Sequence, residues 1–133
     1  MNEVYEFLTK NRTGFLATVD AENHPHARAV GLALIREGNL YYATANTKPM
    51  YAQMKQNPNV ELAVSTPDFS MNLRVAGKAV LCDDMELKKE VMTASPALQS
   101  IYSSSENPIF TLMYIVPSSA RFWSFAEDRT VQL

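Results

Sequence analysis

A single cysteine, Cys82, in 133 residues rules out an internal disulfide and suits a reducing compartment. Glycine is scarce too. The four present form no GxGxxG or GxxxxGK[ST] pattern, so a dinucleotide fingerprint and a P-loop both lack local support. GxSxG, HExxH and CxxC are also missing, which removes the usual signatures of an α/β-hydrolase, a zinc protease and a dithiol site. No apolar run reaches the roughly 20 residues of a membrane-spanning helix, and the opening MNEVYEFLTKN is too polar for a signal peptide. A net charge of −2 gives no basic face for nucleic acid. His24 and His26, flanking Pro25, fall short of the three or four ligands a metal site takes. These absences predict a cytoplasmic protein with no nucleic-acid or membrane partner and no metal.

What is present is an ordinary globular composition, 47% hydrophobic and 20% charged, at a single-domain length, with no linker or repeat dividing residues 1–133. Val4, Phe7 and Leu8 stand at i, i+3, i+4 and predict a short amphipathic helix over 2–11. Strands are predicted over 14–20, 25–39 and 40–45, the last two joined by a turn containing Gly38. A helix over 48–57 begins at Pro49 and presents Met50 and Met54 inward. Strands follow over 59–66 and 70–84, then helical spacing over 85–103 broken near Pro96. Two final strands are predicted about Pro117 in 109–128. Early and late strands with helices between them predict a mainly β (α+β) fold. Closing the sheet into a small barrel with peripheral helices would remove its edges.

Polar residues placed against the alternation mark the candidate chemistry. His26, Arg28, Val30 and Leu32 share one strand face, so Arg28 lies on a face that turns apolar further along. Such a cation either snorkels to water or holds an anion. Lys48 stands where the helix at Pro49 begins, beside the hydroxyls of Thr44 and Thr47, and helix N-termini favour anions. On composition alone a solvated lysine in a Thr/Asn-rich helix cap is the favoured account of Lys48. The hairpin GLALIREGNLYYA turns back on itself and could bring residues near 28 and 45–48 to one end. A phosphate alone does not make a tight ligand, so a flat, partly apolar body would supply the remaining affinity. Asn72 and Arg74 share the opposite strand face from Leu73 and Val75 and could border such a body. Trp123 could pack beside it or fill the core.

The ordered set FLATVD, HPHARAV, LYYATANTK, NPNVEL, LRVAGKAV and FW resembles the pyridoxamine 5′-phosphate oxidase-like superfamily of FMN-binding split barrels over residues 4–126. The short bacterial, nitroimidazole-reductase-like members are most similar. The resemblance implies a six- to seven-stranded antiparallel split β-barrel, an FMN cofactor and a homodimer with flavin sites at the interface. By position it implies FMN contacts from Arg28, Ala29, Val30, Ala43, Thr44, Thr47, Lys48, Asn72, Arg74 and Trp123. It also implies oxidoreductase chemistry on a small-molecule substrate, with a reduced nicotinamide cofactor as a candidate donor. His26 is the one candidate proton donor with a suitable ordinary pKa. The chain departs from the vitamin B6 oxidases after FW: it ends WSFAEDRTVQL, with Arg129 but no histidine, so a dedicated B6 oxidase is not implied. A flavin-binding electron carrier without turnover, and a barrel holding haem or a deazaflavin, are the alternatives.

Overall fold

A computed structural model describes residues 2–133. The elements run α1 (Glu3–Lys10), β1 (Thr13–Val19), β2 (Pro25–Arg36), β3 (Asn39–Ala45), α2 (Pro49–Gln56), β4 (Asn59–Ser65), β5 (Asn72–Cys82), α3 (Met85–Ala94), α4 (Pro96–Tyr102), β6 (Phe110–Trp123) and β7 (Asp128–Val131). The strands lie in the order β3-β2-β1-β4-β5-β6-β7, and β3 also pairs with β6. Six strands therefore close into an antiparallel barrel while β7 extends the sheet beside β6.

Alternation decides which side chains fill the barrel. Leu16 of β1, Val60, Leu62 and Val64 of β4, and Leu73 and Val75 of β5 all point inward and are buried. Val4 and Leu8 of α1 and Met50 and Met54 of α2 join the same core. Burying the two α2 methionines contributes about 3–6 kcal/mol, enough to fix where that short helix begins. A second cluster lies outside the barrel, where Val91 and Met92 of α3 and Tyr102 of α4 cover Tyr41, Phe110 and Leu112. The outer face of β1, β4 and β5 has no such cover, and Phe15 there is 59% exposed.

Local signals account for the joints. Asn2 Oδ1 accepts from the Val4 N–H at 2.8 Å and starts α1. The β2–β3 hairpin turns on Glu37 and Gly38, both with positive φ, 54° and 79°. That is the two-residue turn whose twist suits paired strands. Ser95 ends α3 and caps α4, with Pro96 at the first helical position, which explains the break read in the sequence.

β2 is shared between two partners. Residues 25–31 pair only with β1, whereas Leu32–Arg36 pair with β3, with a register shift between Leu32 and Leu34. The Leu32 N–H donates to the Arg12 carbonyl at 2.8 Å, which makes Arg12 and Leu32 a hydrogen-bonded pair. By alternation the backbone groups of Ala27, Ala29 and Gly31 then point away from β1, off an open edge. This is the split in the barrel.

One expectation is corrected. Residues 110–123 form a single strand through Pro117, not two strands about it. The Ala79 N–H donates to the Pro58 carbonyl, so by alternation the backbone of Gly77 bonds to β4 and the Gly77–Pro117 pair carries no bonds of its own. The nitrogen of Pro117 faces the other edge of β6, between the stretch paired to β3 (through Ile115) and the stretch paired to β7 (from Ala120). Its missing N–H therefore costs no ladder bond. Opposite it the register shifts between Ala76 and Gly77, and the Ser118 hydroxyl donates to the Ala76 carbonyl.

Candidate functional site

The open edge of β2 forms one wall of a cleft of about 530 Å³, and the end of β3 and the start of α2 form the other. His26, Arg28, Ala29 and Val30 come from β2, Ala43 and Thr44 from β3, and Lys48, Met50 and Gln53 from the start of α2. The volume lies within the usual range for small-molecule and cofactor sites. Seven expected site residues therefore converge: His26, Arg28, Ala29, Val30, Ala43, Thr44 and Lys48 line the cleft. Thr47 sits in the adjoining turn, exposed, and is not part of the cleft wall, against the expectation for it. That turn is pinned by Asn46, whose Nδ2 donates to the Pro108 carbonyl at 2.9 Å and whose N–H donates to the Ile109 carbonyl.

Arg28 is held in a fixed pose. Its Nη1 donates to the Thr18 hydroxyl at 2.7 Å and to the Leu16 carbonyl at 3.2 Å, and its Nη2 donates to Gln53 Oε1 at 3.0 Å. The fully buried Thr18 passes its own proton to Gln53 Oε1 at 2.6 Å. Because arginine can only donate, the Gln53 atom facing it is the oxygen, and the amide NH2 is left for another acceptor. Three of the five guanidinium hydrogens are used, which leaves Nε–H and one Nη2 hydrogen for a ligand. Partial burial lowers the guanidinium pKa, but a guanidinium stays charged at any ordinary pH.

Lys48 is the N-cap residue of α2, and its side chain makes no capping bond. It forms no ion pair among the described residues. Pro49 at the first helical position has no N–H, so the helix start offers the Met50 amide. Thr44 is 1% exposed, lines the cleft, and carries the one buried side-chain polar atom without a hydrogen-bond partner among the described residues. An orphaned buried hydroxyl costs about 1–3 kcal/mol, so its place in a cleft that two cations also line fits a missing acceptor. A held guanidinium, an unpaired ammonium, an unpaired hydroxyl and a helix start form a donor set suited to a phosphate.

His26 closes the far end. Its Nε2 is 2.8 Å from Asp20 Oδ2, and His24 Nδ1 lies 3.7 Å from the same oxygen. The His26 bond, followed by backbone N–H donation from His24, holds the Asp20 carboxyl at about 2. Among the described residues no three His, Cys, Asp or Glu side chains are grouped to hold a metal ion.

Asn72, Arg74 and Trp123 do not enter this cleft. They line a second one of about 600 Å³ on the uncovered outer face, with Phe15, Phe69 and Arg121. Cross-strand pairing runs Ala29–Phe15–Ala63–Arg74 from β2 to β5. Three steps of about 4.8 Å put Arg74 about 14 Å from Ala29 along the sheet, and Trp123 lies one strand beyond Asn72. Within one chain the expected contacts thus form two groups.

Gln53 is the residue the sequence reading missed. A hydrophobic pattern gives no sign that a glutamine one turn into a helix will meet an arginine 25 positions earlier. Its only trace is the spacing from Pro49, which places it four residues on and above the helix start.

A family model described as pyridoxamine 5′-phosphate oxidase matches residues 1–124. No curated protein matches the chain. Among solved structures, a NimC/NimA family protein from Clostridium acetobutylicum is 30% identical with a TM-score of 0.85, over 98% of this chain and 91% of that one. A pyridoxamine 5′-phosphate oxidase-related, FMN binding protein from Nostoc punctiforme is 18% identical with a TM-score of 0.74, over 96% and 85%. A haem binding protein from Mycobacterium smegmatis is 18% identical with a TM-score of 0.75, over 92% and 53%. The last two share the fold.

Proposed function

Because the chain belongs to the pyridoxamine 5′-phosphate oxidase family, we propose that it is an FMN-binding flavoprotein that carries out oxidation or reduction of a small molecule. The observation that carries this reading is the cleft at the barrel split, which Arg28, Lys48 and Thr44, with its unpaired hydroxyl, line together. These three would hold the phosphate, with Gln53 fixing Arg28. Ala29, Val30 and Ala43 would flank the body of the cofactor, their small side chains leaving it room. FMN, when bound, supplies the electron-accepting ring; the chain binds it, orients it and sets the charge around it.

A homodimer completes the reading. The outer face is uncovered and apolar, with Phe15 59% and Trp123 39% exposed, and a monomer rarely leaves such a patch open. A second copy on that face would let Asn72 and Trp123 of the partner subunit reach the cofactor that Arg28 and Lys48 hold. The reading extends to a cytoplasmic enzyme taking electrons from a reduced nicotinamide. The FMN-binding relative from Nostoc punctiforme supports the cofactor, and the missing histidine after Trp123 argues against vitamin B6 as substrate.

The test is Lys48→Ala, titrated with FMN and with riboflavin, which lacks the phosphate. A charge-assisted contact of about 1.5–3 kcal/mol corresponds to roughly a tenfold to hundredfold weaker Kd for FMN, with riboflavin changed less than twofold. Equal weakening of both ligands, or no flavin binding by the wild-type protein, refutes the phosphate site.

A further inference from the structure

A third cleft, of about 430 Å³, lies between the outer face of β2–β3 and the α3–α4 corner. It shares Gly31 and Ala43 with the cleft at the barrel split, so contents of the two would meet across those residues. Its walls are otherwise small or apolar: Ala33, Val91, Ala97 and Leu98. Arg12 is the one charged side chain lining it.

Arg12 is held in place. Its Nη2 donates to the Leu32 carbonyl at 2.9 Å and to the Ala33 carbonyl at 2.8 Å, which fixes the guanidinium against the strand. Those bonds use one nitrogen, so Nε–H and both Nη1 hydrogens are unengaged. No carboxylate pairs with Arg12 among the described residues. Glu90, the acid of α3 nearest in sequence to Val91, is taken by Arg36 at 2.6 Å. Guanidinium bonded only to carbonyls keeps its full charge uncompensated, and its free Nη1 hydrogens can make charge-assisted hydrogen bonds to a carboxylate oxygen.

We propose that this cleft binds the substrate, and that the substrate is a small carboxylate with a flat or short apolar body. Arg12 takes the carboxylate, and the body lies on Ala33 and Ala97 with its far end toward Gly31 and Ala43. The assignment rests on the flavin reading for its meaning as a substrate site, since only a cofactor in the adjoining cleft makes contact across Gly31 productive. Gly31 suits the junction: a Cβ built there meets nothing within 4 Å, so the space is open on that side of the strand. Its φ is not in the left-handed region, so the residue is small without being required by the backbone.

Benzoate is the probe, with benzyl alcohol as its neutral control, each titrated into FMN-loaded protein and into flavin-free protein. Binding is read from the flavin absorption band in the first case and from calorimetry in both. Benzoate is expected to bind at least tenfold more tightly than benzyl alcohol, and Arg12→Gln to weaken benzoate at least tenfold while leaving benzyl alcohol and FMN within twofold. Ala97→Leu, at an exposed helical position that tolerates leucine, is expected to weaken both probes by filling the cleft. Calorimetric binding with the flavin band unmoved would place benzoate away from the cofactor and overturn the substrate assignment. Benzoate binding that neither substitution weakens overturns the site. The calorimetric arm on flavin-free protein separates the two readings: loss of FMN binding with Arg12-dependent benzoate binding refutes the flavin site alone.

Discussion

Replacing Thr44 with valine should strengthen the empty protein and weaken its hold on FMN, and the opposite signs are the point of the experiment. The side chain is 1% exposed and its hydroxyl has no partner, so folding removes it from water without compensation. That penalty is about 1–3 kcal/mol, and valine keeps the shape while deleting the cause. Taking the low end, about 1 kcal/mol at this chain length raises Tm by roughly 3–5 °C. If the hydroxyl donates to a phosphate when FMN is bound, the variant loses a charge-assisted bond of about 1.5–3 kcal/mol, so its Kd for FMN rises about tenfold to hundredfold. Thermal unfolding of flavin-free protein and a flavin fluorescence titration provide the two measurements. The wild-type protein should gain more Tm from saturating FMN than the variant does, because ligand linkage scales with affinity. A variant that is less stable when empty and binds FMN as well as wild type would show that the hydroxyl is structural, and would remove Thr44 from the phosphate site.

Asp20 gives an acid-limb prediction. Its carboxyl is held at about 2, below the ordinary 3.8, first by the His26 bond and then by backbone donation from His24. A depressed carboxylate pKa contributes stability above 3.8 that is lost as pH falls toward 2, so Asp20→Asn should flatten the decline of urea midpoint across that window, and an unchanged decline would refute the assignment. Phe15→Glu tests the dimer: burying the 59% exposed side chain twice across a symmetric interface contributes about 2–4 kcal/mol, so the variant should sediment as a single chain at concentrations where wild type sediments as two. A wild-type protein that is itself a single chain refutes the shared site.

Much of the fold was legible because burial follows simple periods here. Val60, Leu62 and Val64 alternate, Met50 and Met54 stand one turn apart, and each pattern is what the structure buries. Pro117 misled because a proline reads as a break in any strand, and its cost depends on the bonding of its cross-strand neighbour Gly77, 40 residues earlier on β5 and invisible locally. The four residues of β7 were missed for a different reason. Only Val131 is even partly buried among them, and the strand is held by Asp128 pairing with Arg121, by Arg129 pairing with Glu3 at 2.6 Å, and by Arg129 stacked 4.9 Å over Phe122. Such long-range ionic contacts leave no periodic trace. In the site, the residue types and half of their grouping were legible. The β2–β3 hairpin already suggested that residues near 28 and 45–48 meet at one end, but nothing local showed that Asn72, Arg74 and Trp123 lie on another face, which only the strand order decides.

The barrel's imperfect pairing and its candidate site have the same cause. Were β2 paired with β3 along its whole length, Ala27, Ala29 and Gly31 would spend their backbone groups on the ladder and Thr44 would be sealed between strands. The register shift between Leu32 and Leu34 ends that pairing early, and the chain leaving β3 turns through Asn46 into α2 instead of continuing beside β2. The helix is then drawn against the barrel by Met50 and Met54, so its N-terminus arrives at the gap that the strands leave. Arg28 would be a buried charge in a closed barrel. At the split it has Thr18, Gln53 and a carbonyl for company and two hydrogens to spare. The unpaired hydroxyl, the uncapped lysine and the open edge are therefore one feature, and a ligand that satisfies one of them is positioned to satisfy all three.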